Sequence, residues 1–468
     1  MTEEQRKPVG LTLWESPEVQ TRSQHTAASW IAANVVRPAW LWRREAAVLL
    51  GPVLVGAVPW AVSAAVGAPL PLSVLGSGIA VSCAVAAVLL VVTWRWSAGW
   101  LWRGRIRRKW DSACRYSGVE TTAARVPRVT RVERHPAAVR LNTRLPKGLS
   151  TDEVAAAAEK LAVVLDVREV KVTRDPERAR FPIVDLQVRN PFRDSDGQPV
   201  VIGSPLASAA SWDVWDNGVP LGLDTLGAPL TIRLVGRNIL VAGEPEAGKS
   251  VAAGLPLAAA ALDPNVRIFG IDAKQVEFAL WAPVMERVVY NDVDDAIDLL
   301  DSLIAEMDER YAKLRAEGMR SAVKSLGWPV NLLAIDEMRF FTAHPDKKKR
   351  DRFNAALIDL IARGRAAAFP VLTATQKPST DVVPSSIRDL IAYRWAMRCS
   401  TRDASDTILG AGWASEGYSA SRIDMADRGV GLLLAEGGIP AEVKSAYLDD
   451  DAIKGIVARG AGLRGWSA

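Results

Sequence analysis

The chain is poor in the residues that build metal clusters and disulfide frameworks. Its 468 residues include three cysteines (Cys83, Cys114 and Cys399) and three histidines. No two cysteines stand at CxxC spacing and none sits beside a histidine, which excludes a zinc ribbon and a disulfide scaffold and fits a reducing, cytosol-facing environment. Charge of one sign is not in excess either: 58 Lys and Arg face 53 Asp and Glu, a net +5. The first 45 residues lack a basic start followed by a cleavable apolar core, which argues against a signal peptide. No internal repeat or low-complexity tract stands out.

What the chain has in plenty is apolar sequence, 49% of residues with a mean hydropathy of +0.07. The excess sits near the N-terminus, in two uncharged runs, Ala46–Val66 and Leu72–Val92. Each is about 20 residues, enough at roughly 1.5 Å per residue to cross a hydrocarbon core of about 30 Å. Arg43 and Arg44 precede the first run, Arg95, Arg103, Arg105, Arg107, Arg108 and Lys109 follow the second, and the short link 67–71 has no charge. Positive charge at both outer ends predicts a multi-pass protein of the inner (plasma) membrane with both termini in the cytoplasm. Trp40, Trp42, Trp60, Trp94, Trp96, Trp100 and Trp102 cluster at the ends of the runs, as interfacial aromatics do. The competing reading is a buried helical hairpin, disfavoured because buried helices rarely lack charge over such a length.

Residues 1–45 then read as a cytoplasmic N-terminal segment and 46–92 as a transmembrane helix pair. Residues 93–139 read as a basic juxtamembrane linker that is a solvated connector or touches lipid headgroups or DNA. Between residues 93 and 140 stand 12 Lys and Arg against three acids, so the rest of the chain is mildly acidic. Residues 140–211 alternate like a small α+β module, with strands at Arg140–Leu145, Val167–Thr173 and Pro182–Val188 and a helix from about Asp152 to Leu165, capped by Ser150 or Thr151 with Glu153 in support. From 212 to 450 strands alternate with helices, which implies a parallel sheet covered on both faces. The strands are Asn238–Ala242, Val266–Ile271, Leu332–Ile335, Val371–Thr375 and Tyr393–Met397. The long helices are Asp292–Ala316 and Arg352–Ala368, and residues 451–468 are a C-terminal tail.

The strongest motif is Gly243-Glu244-Pro245-Glu246-Ala247-Gly248-Lys249-Ser250, which matches GxxxxGK[ST] at every fixed position, after a strand and before a helix. Glycines let backbone N–H groups wrap a phosphate, and the helix N-terminus adds partial positive charge. Lys249 is placed to bridge the β- and γ-phosphates of ATP, and the Ser250 hydroxyl to ligate Mg²⁺. The apolar strand 331–335 ends in Asp336 and Glu337, candidates for the Mg²⁺ shell and for the base that polarises the attacking water.

One segment is more specific. Val371-Leu-Thr-Ala-Thr-Gln376-Lys-Pro-Ser379 resembles a signature of the FtsK/SpoIIIE family of DNA translocases. Ile271-Asp272-Ala-Lys274, Glu306-Met-Asp-Glu-Arg310-Tyr311, Ala362-Arg-Gly-Arg365 and Thr407-Ile-Leu409 agree in order and spacing. The resemblance covers about residues 212–436, and more loosely the module before it. It implies an α/β, RecA-like P-loop ATPase that uses ATP and Mg²⁺ and assembles into a homo-oligomeric, hexameric ring around double-stranded DNA. In that family Gln376 would sense the γ-phosphate, and Arg365 would reach the neighbouring subunit's ATP as an arginine finger. Arg402 matches a second basic position that acts on the neighbouring subunit, and it is also counted with Lys377 and Arg388 among the candidates for DNA contact. The chain departs from the family in having two apolar runs rather than four, a basic stretch from Lys347 to Arg352, and no evident C-terminal winged helix. The expected function is a membrane-anchored translocase transferring plasmid or mobile-element DNA between cells. A type VII secretion-like protein exporter and a chromosome-segregation translocase are the alternatives.

Overall fold

A computed structural model describes residues 57–58, 61–67, 71–92, 94–376, 378–379 and 382–466. They fall into two units, one drawn from residues up to 134 together with 139–186, the other from 135–138 and 187 onward.

The first unit contains helices α1 (Leu72–Val92) and α2 (Trp94–Tyr116). Among the described residues no helix is long and apolar enough to cross a membrane, and most of the first expected span, 46–66, lies outside them. The transmembrane hairpin is therefore not carried by the structure. The expected linker at 93–139 is corrected outright: α2 occupies its first half and strand β1 (Arg128–Arg134) much of its second. Trp102, Ile106, Trp110, Ala113 and Cys114 recur at helical spacing and pack into a core with Leu141, Leu161 and Val184. Burying that stripe orders the segment despite its charge.

β1 pairs antiparallel with β2 (Ala138–Arg144) in a four-stranded sheet of order β1-β2-β4-β3, where β3 is Glu169–Thr173 and β4 is Ile183–Gln187. The helix expected from Asp152 to Leu165 is broken at Ala157 into α3 (Thr151–Ala156) and α4 (Ala158–Leu165). Ser150 caps α3 through a reciprocal pair: its hydroxyl accepts from Glu153 N at 3.2 Å, and Glu153 Oε2 accepts from Ser150 N at 2.6 Å.

The second unit is built on a ten-stranded sheet of order β6-β5-β14-β13-β12-β7-β11-β10-β8-β9. The strands from β12 to β9 run parallel: β12 (Tyr393–Met397), β7 (Ile239–Ala242), β11 (Val371–Thr375), β10 (Val330–Asp336), β8 (Val266–Asp272) and β9 (Arg287–Tyr290). β13 (Val430–Leu434), β14 (Ala441–Ser445), β5 (Val219–Asp224) and β6 (Pro229–Ile232) extend it antiparallel, so the sheet is mixed rather than parallel throughout. Every residue of β7, β10 and β11 is buried, as strands covered on both faces must be. Residues on one face pack with α5 (Lys249–Ala261) and those on the other with α6 (Val293–Ala316) and α7 (Lys347–Ala367).

Two expected boundaries move. α7 begins at Lys347, so the basic stretch is its first turn, capped by Asp346 and paired with acids: Lys349 with Asp294 at 2.5 Å and Arg352 with Asp301 at 2.6 Å. Lysines at a helix N-terminus oppose the helix dipole, and these pairs offset that cost. The expected tail is helix α9 (Asp450–Arg464), the label α8 being kept for Arg402–Leu409. Gly460 of α9 lies so close to α5 that a Cβ there would meet Ala261 O at 2.3 Å, and Arg464 donates to the carbonyls of Ala260, Asp263 and Val266. Those carbonyls lie at and beyond the end of α5, where the turn supplies Asp263 N to Ala260 O and Val266 N to Asp263 O, and the guanidinium adds charged donors that hold the terminal segment down.

Candidate functional site

β7, β11 and β10 are neighbours, and their C-terminal ends open on one crevice beside the point where the strand order reverses, the usual ligand position in such sheets. The loop after β7 is held on both sides. Gly243 N donates to Thr375 O at 3.3 Å, Glu244 N to Arg398 O at 3.0 Å, and Gly429 N to Ala247 O at 2.9 Å. Two of its positions require glycine. A Cβ on Gly243 would meet Met397 Cβ at 2.6 Å, and Gly248, at φ +100°, would place one 2.8 Å from Gly429. Lys249 then starts α5 behind this left-handed residue.

The Lys249 ammonium lies 2.7 Å from Asp336 Oδ1, with the two side chains 4% and 2% exposed. Lys274 Nζ stands 3.2 Å from Asp336 Oδ2. It is aimed there by a turn in which Asp272 accepts from Lys274 N, Gln275 N and Phe278 N at 3.0, 2.9 and 3.0 Å. Oδ2 of Asp336 is buried and has the Lys274 ammonium as an ion-pair partner but accepts no hydrogen bond of good geometry, and Ser250 and Asp336 line one small cleft. A buried carboxylate oxygen beside a hydroxyl fits a hard cation whose other ligands are water and phosphate. Among the described residues no three His, Cys, Asp or Glu side chains gather to hold a metal without such help.

Glu337 adopts φ +48°, a conformation that costs energy in a residue with a side chain. Its carboxylate accepts from Thr375 Oγ1 at 2.8 Å and from Gln376 N at 3.1 Å. β10 and β11 thereby join the carboxylate to the residue expected to sense phosphate. Gln376 lines a cavity of about 570 Å³ with Glu244, Gly248, Lys249 and Ser250.

The far wall of that cavity has no counterpart in the sequence reading. Pro199–Ile202 and Tyr447 form an apolar side, tied by Tyr447 N donating to Ile202 O at 2.6 Å. Lys444 is 6% exposed, lines the same cavity and donates to Arg428 O; burial lowers its pKa, against the pull of the Asp427 carboxylate. Arg398 holds Glu244 Oε2 at 3.0 Å while Ser400 N holds Oε1 at 2.7 Å. An anionic chain fits the loop end of the cavity and a flat ring the apolar end. Only the loop end has a local signature.

The remaining expected residues lie elsewhere. Arg365 is not among the residues lining the cavity; it donates to Gly236 O at 3.2 Å and pairs with Glu436 at 3.1 Å. Arg388 is 16% exposed and paired with Asp389 at 2.9 Å, so it presents little free charge. Arg402 is exposed at the first turn of α8, and Lys377 lies outside the described residues.

A sequence profile described as the FtsK/SpoIIIE family matches residues 206–416, a stretch that runs from before β5 to beyond α8 and holds the loop, both carboxylates and Gln376. The chain carries an FtsK/SpoIIIE family domain. The family is one of ATPases. The DNA translocase FtsK of Bacillus cereus is 26% identical over 356 residues, 70% of this chain and 42% of that protein. That of Pseudomonas aeruginosa is 27% identical over 387 residues, 73% of this chain and 44% of that protein. The chain thus spans less than half the length of these relatives. Among solved structures, the pCW3 conjugation coupling protein TcpA, a monomer with ATPγS, superposes with a TM-score of 0.48 at 18% identity, over 75% of this chain and 98% of that one. The type VII secretion ATPase EccC of Thermomonospora curvata gives 0.45 at 20% identity, over 60% and 34%. Superpositions this loose do not bear on what the chain acts upon.

Proposed function

We propose that the chain is an ATP-driven translocase of double-stranded DNA, anchored in the membrane and working as a homo-oligomeric ring. The observation that carries the ATPase reading is the meeting of the Gly243–Ser250 loop, Asp336, Glu337 and Gln376 at adjacent strand ends. In this reading the loop N–H groups and Lys249 take the phosphates, with the ammonium leaving Asp336 for the β- and γ-oxygens. Ser250 and Asp336 would hold Mg²⁺, which would neutralise charge on the phosphates. Glu337 would leave Thr375 and Gln376 to accept a proton from the attacking water, and Gln376 would mark whether the γ-phosphate is still attached. Arg365, outside its own cavity, would leave its exposed partner Glu436 to serve a neighbour's, and Arg402 is exposed for the same use.

DNA as cargo rests on the relatives named DNA translocases and on the shared domain. The membrane anchor rests on the uncharged runs and their basic flanks, and transfer of plasmid or mobile-element DNA is the use favoured for such an anchored motor. The deciding experiment uses the full chain in neutral detergent. ATPase activity should rise with duplex DNA, fall steeply with salt, and differ little between unrelated sequences, because backbone contacts carry no base information. Absence of stimulation in protein shown to form rings would overturn the DNA reading in favour of protein export.

A further inference from the structure

Outside the motor, the first unit holds a groove that the nucleotide chemistry does not use. Arg107, Arg125, Arg128, Arg144, Lys147 and Arg180 line it against a single acid, Asp111, itself paired with Arg115 at 3.3 Å. Its floor is apolar and rigid: Trp110 is 1% exposed and its indole N–H donates to Pro127 O at 3.0 Å. Arg107 is fixed to Thr130 O at 2.9 Å and Arg180 to Leu145 O at 2.9 Å, while Arg125, Arg144 and Lys147 are exposed. The groove does not stop there. Leu145, Pro146, Lys147 and Arg180 also line a second hollow, which adds Arg174 and Asp152, so cavities of about 550 and 480 Å³ adjoin across a shared wall. Seven cations against two acids along the two adjoining hollows favour a ligand with repeated negative charge over a single phosphate.

We propose that this groove binds the sugar–phosphate backbone of duplex DNA, a contact separate from the motor's own; the proposal rests on the translocase reading above. A lipid headgroup layer is the lesser match. Were α1 to enter a bilayer, the headgroups would reach only about 8 Å past its end. Trp110 follows the start of α2 by a rise of roughly 24 Å. The apolar stripe of α2 from Trp102 to Cys114, which carries the groove, packs into the unit's own core and does not face outward. The groove offers cations and backbone-pinned guanidiniums with no acceptor set for base edges, so its contact is indifferent to sequence.

The test is binding of a short labelled duplex to the full chain in neutral detergent, between about 50 and 200 mM salt. The Arg125→Glu/Arg144→Glu/Lys147→Glu variant should bind about tenfold or more weakly, with a log–log salt slope shallower by about 0.9 for each phosphate no longer neutralised. Its basal ATPase rate should equal the parent's, since none of these residues touches the nucleotide cavity. Arg125→Lys/Arg144→Lys, which keeps the charge, should bind within about twofold of the parent and excludes a folding defect as the cause. If the parent binds DNA and the triple Glu variant matches it in affinity and slope, the groove is not a DNA contact and the translocase reading survives. If the parent binds no DNA, both fall. If the variant's defect appears only in nanodiscs containing phosphatidylglycerol, the groove takes headgroups and the proposal is overturned.

Discussion

Lys249 and Asp336 form a buried ion pair, 2.7 Å from ammonium to carboxylate, between the first residue of the P-loop helix and the last residue of the acidic strand. Each keeps the other from standing as an unpaired charge out of water, and Lys274 at 3.2 Å gives Asp336 a second cation. Binding of a polyphosphate would exchange one set of charge partners for another, not create charge compensation anew.

Lys249→Ala should therefore cost stability as well as nucleotide binding. Breaking a buried pair costs about 3–5 kcal/mol, and Lys274 should hold the loss below that range. Lys249→Ala/Asp336→Asn should recover part of the loss without recovering ATP binding. Urea melts of the parent and the two variants decide this, and equal midpoints in the two variants would refute the coupling.

Glu337→Gln should bind ATP with near-parental affinity and hydrolyse it at least about 100-fold more slowly, the scale of a lost general base. The amide can still accept from Thr375, so the strained φ at Glu337 should persist. Equilibrium binding of labelled ATP beside a steady-state rate separates the two effects.

Arg365→Ala should lose less than about 1 kcal/mol of stability, because its pair with Glu436 is exposed. It should nonetheless hydrolyse poorly. Mixing it with Lys249→Ala protein should restore some activity, since only a mixed ring offers an intact Arg365 facing an intact loop. Mixtures no more active than the separate proteins would remove Arg365 from the trans role.

Arg464→Ala should destabilise the motor by about 1.5–3 kcal/mol, by removing the charged donors that tie α9 to the carbonyls at and beyond the end of α5. Burial holds the pKa of this guanidinium below its ordinary value, yet it stays charged at any physiological pH. A fall in thermal midpoint with unchanged affinity for ATP under native conditions is the expected pattern.

Cys399 is buried, and burial, aided by the nearby Glu244 carboxylate, pushes its thiol up to about 12. In the unfolded chain it ionises near about 8.5. Its contribution to stability is thus intact below about pH 8.5 and is lost as pH rises toward 12, roughly 1–2 kcal/mol by pH 10. Denaturant midpoints at about pH 8 and pH 10 should diverge less in Cys399→Ala than in the parent, and iodoacetamide should label Cys399 only after unfolding.

The P-loop could be read from the sequence because its geometry is local. A buried strand, a glycine-bounded loop and a helix start follow one another within about 20 residues, and each announces itself by residue type. The same holds for the acidic strand end at Asp336 and Glu337, for the cap at Ser150 and Glu153, and for the helix that starts after Asp292, which runs as expected to Ala316. The helical stripe of Trp102, Ile106, Trp110, Ala113 and Cys114 was equally present in the sequence. The surrounding arginines hid it, since composition weighs charge and only periodicity shows a face.

Other parts of the site had no local signal to find. Lys444, Tyr447 and Pro199–Ile202 reach the cavity only because β14 and β13 are laid antiparallel beside the parallel strands, far along the chain from the loop they face. Arg398 meets Glu244 across 154 positions, and Lys274 meets Asp336 through a turn whose direction depends on one buried aspartate. Residue types and spacing determined which chemistry this chain can carry, because phosphate-cradling loops and helix caps are short-range devices. Which side chains complete the cavity, which arginines are already paired, and why the last helix is not a tail were decided by strand order and packing, which bring together residues that no sequence window contains.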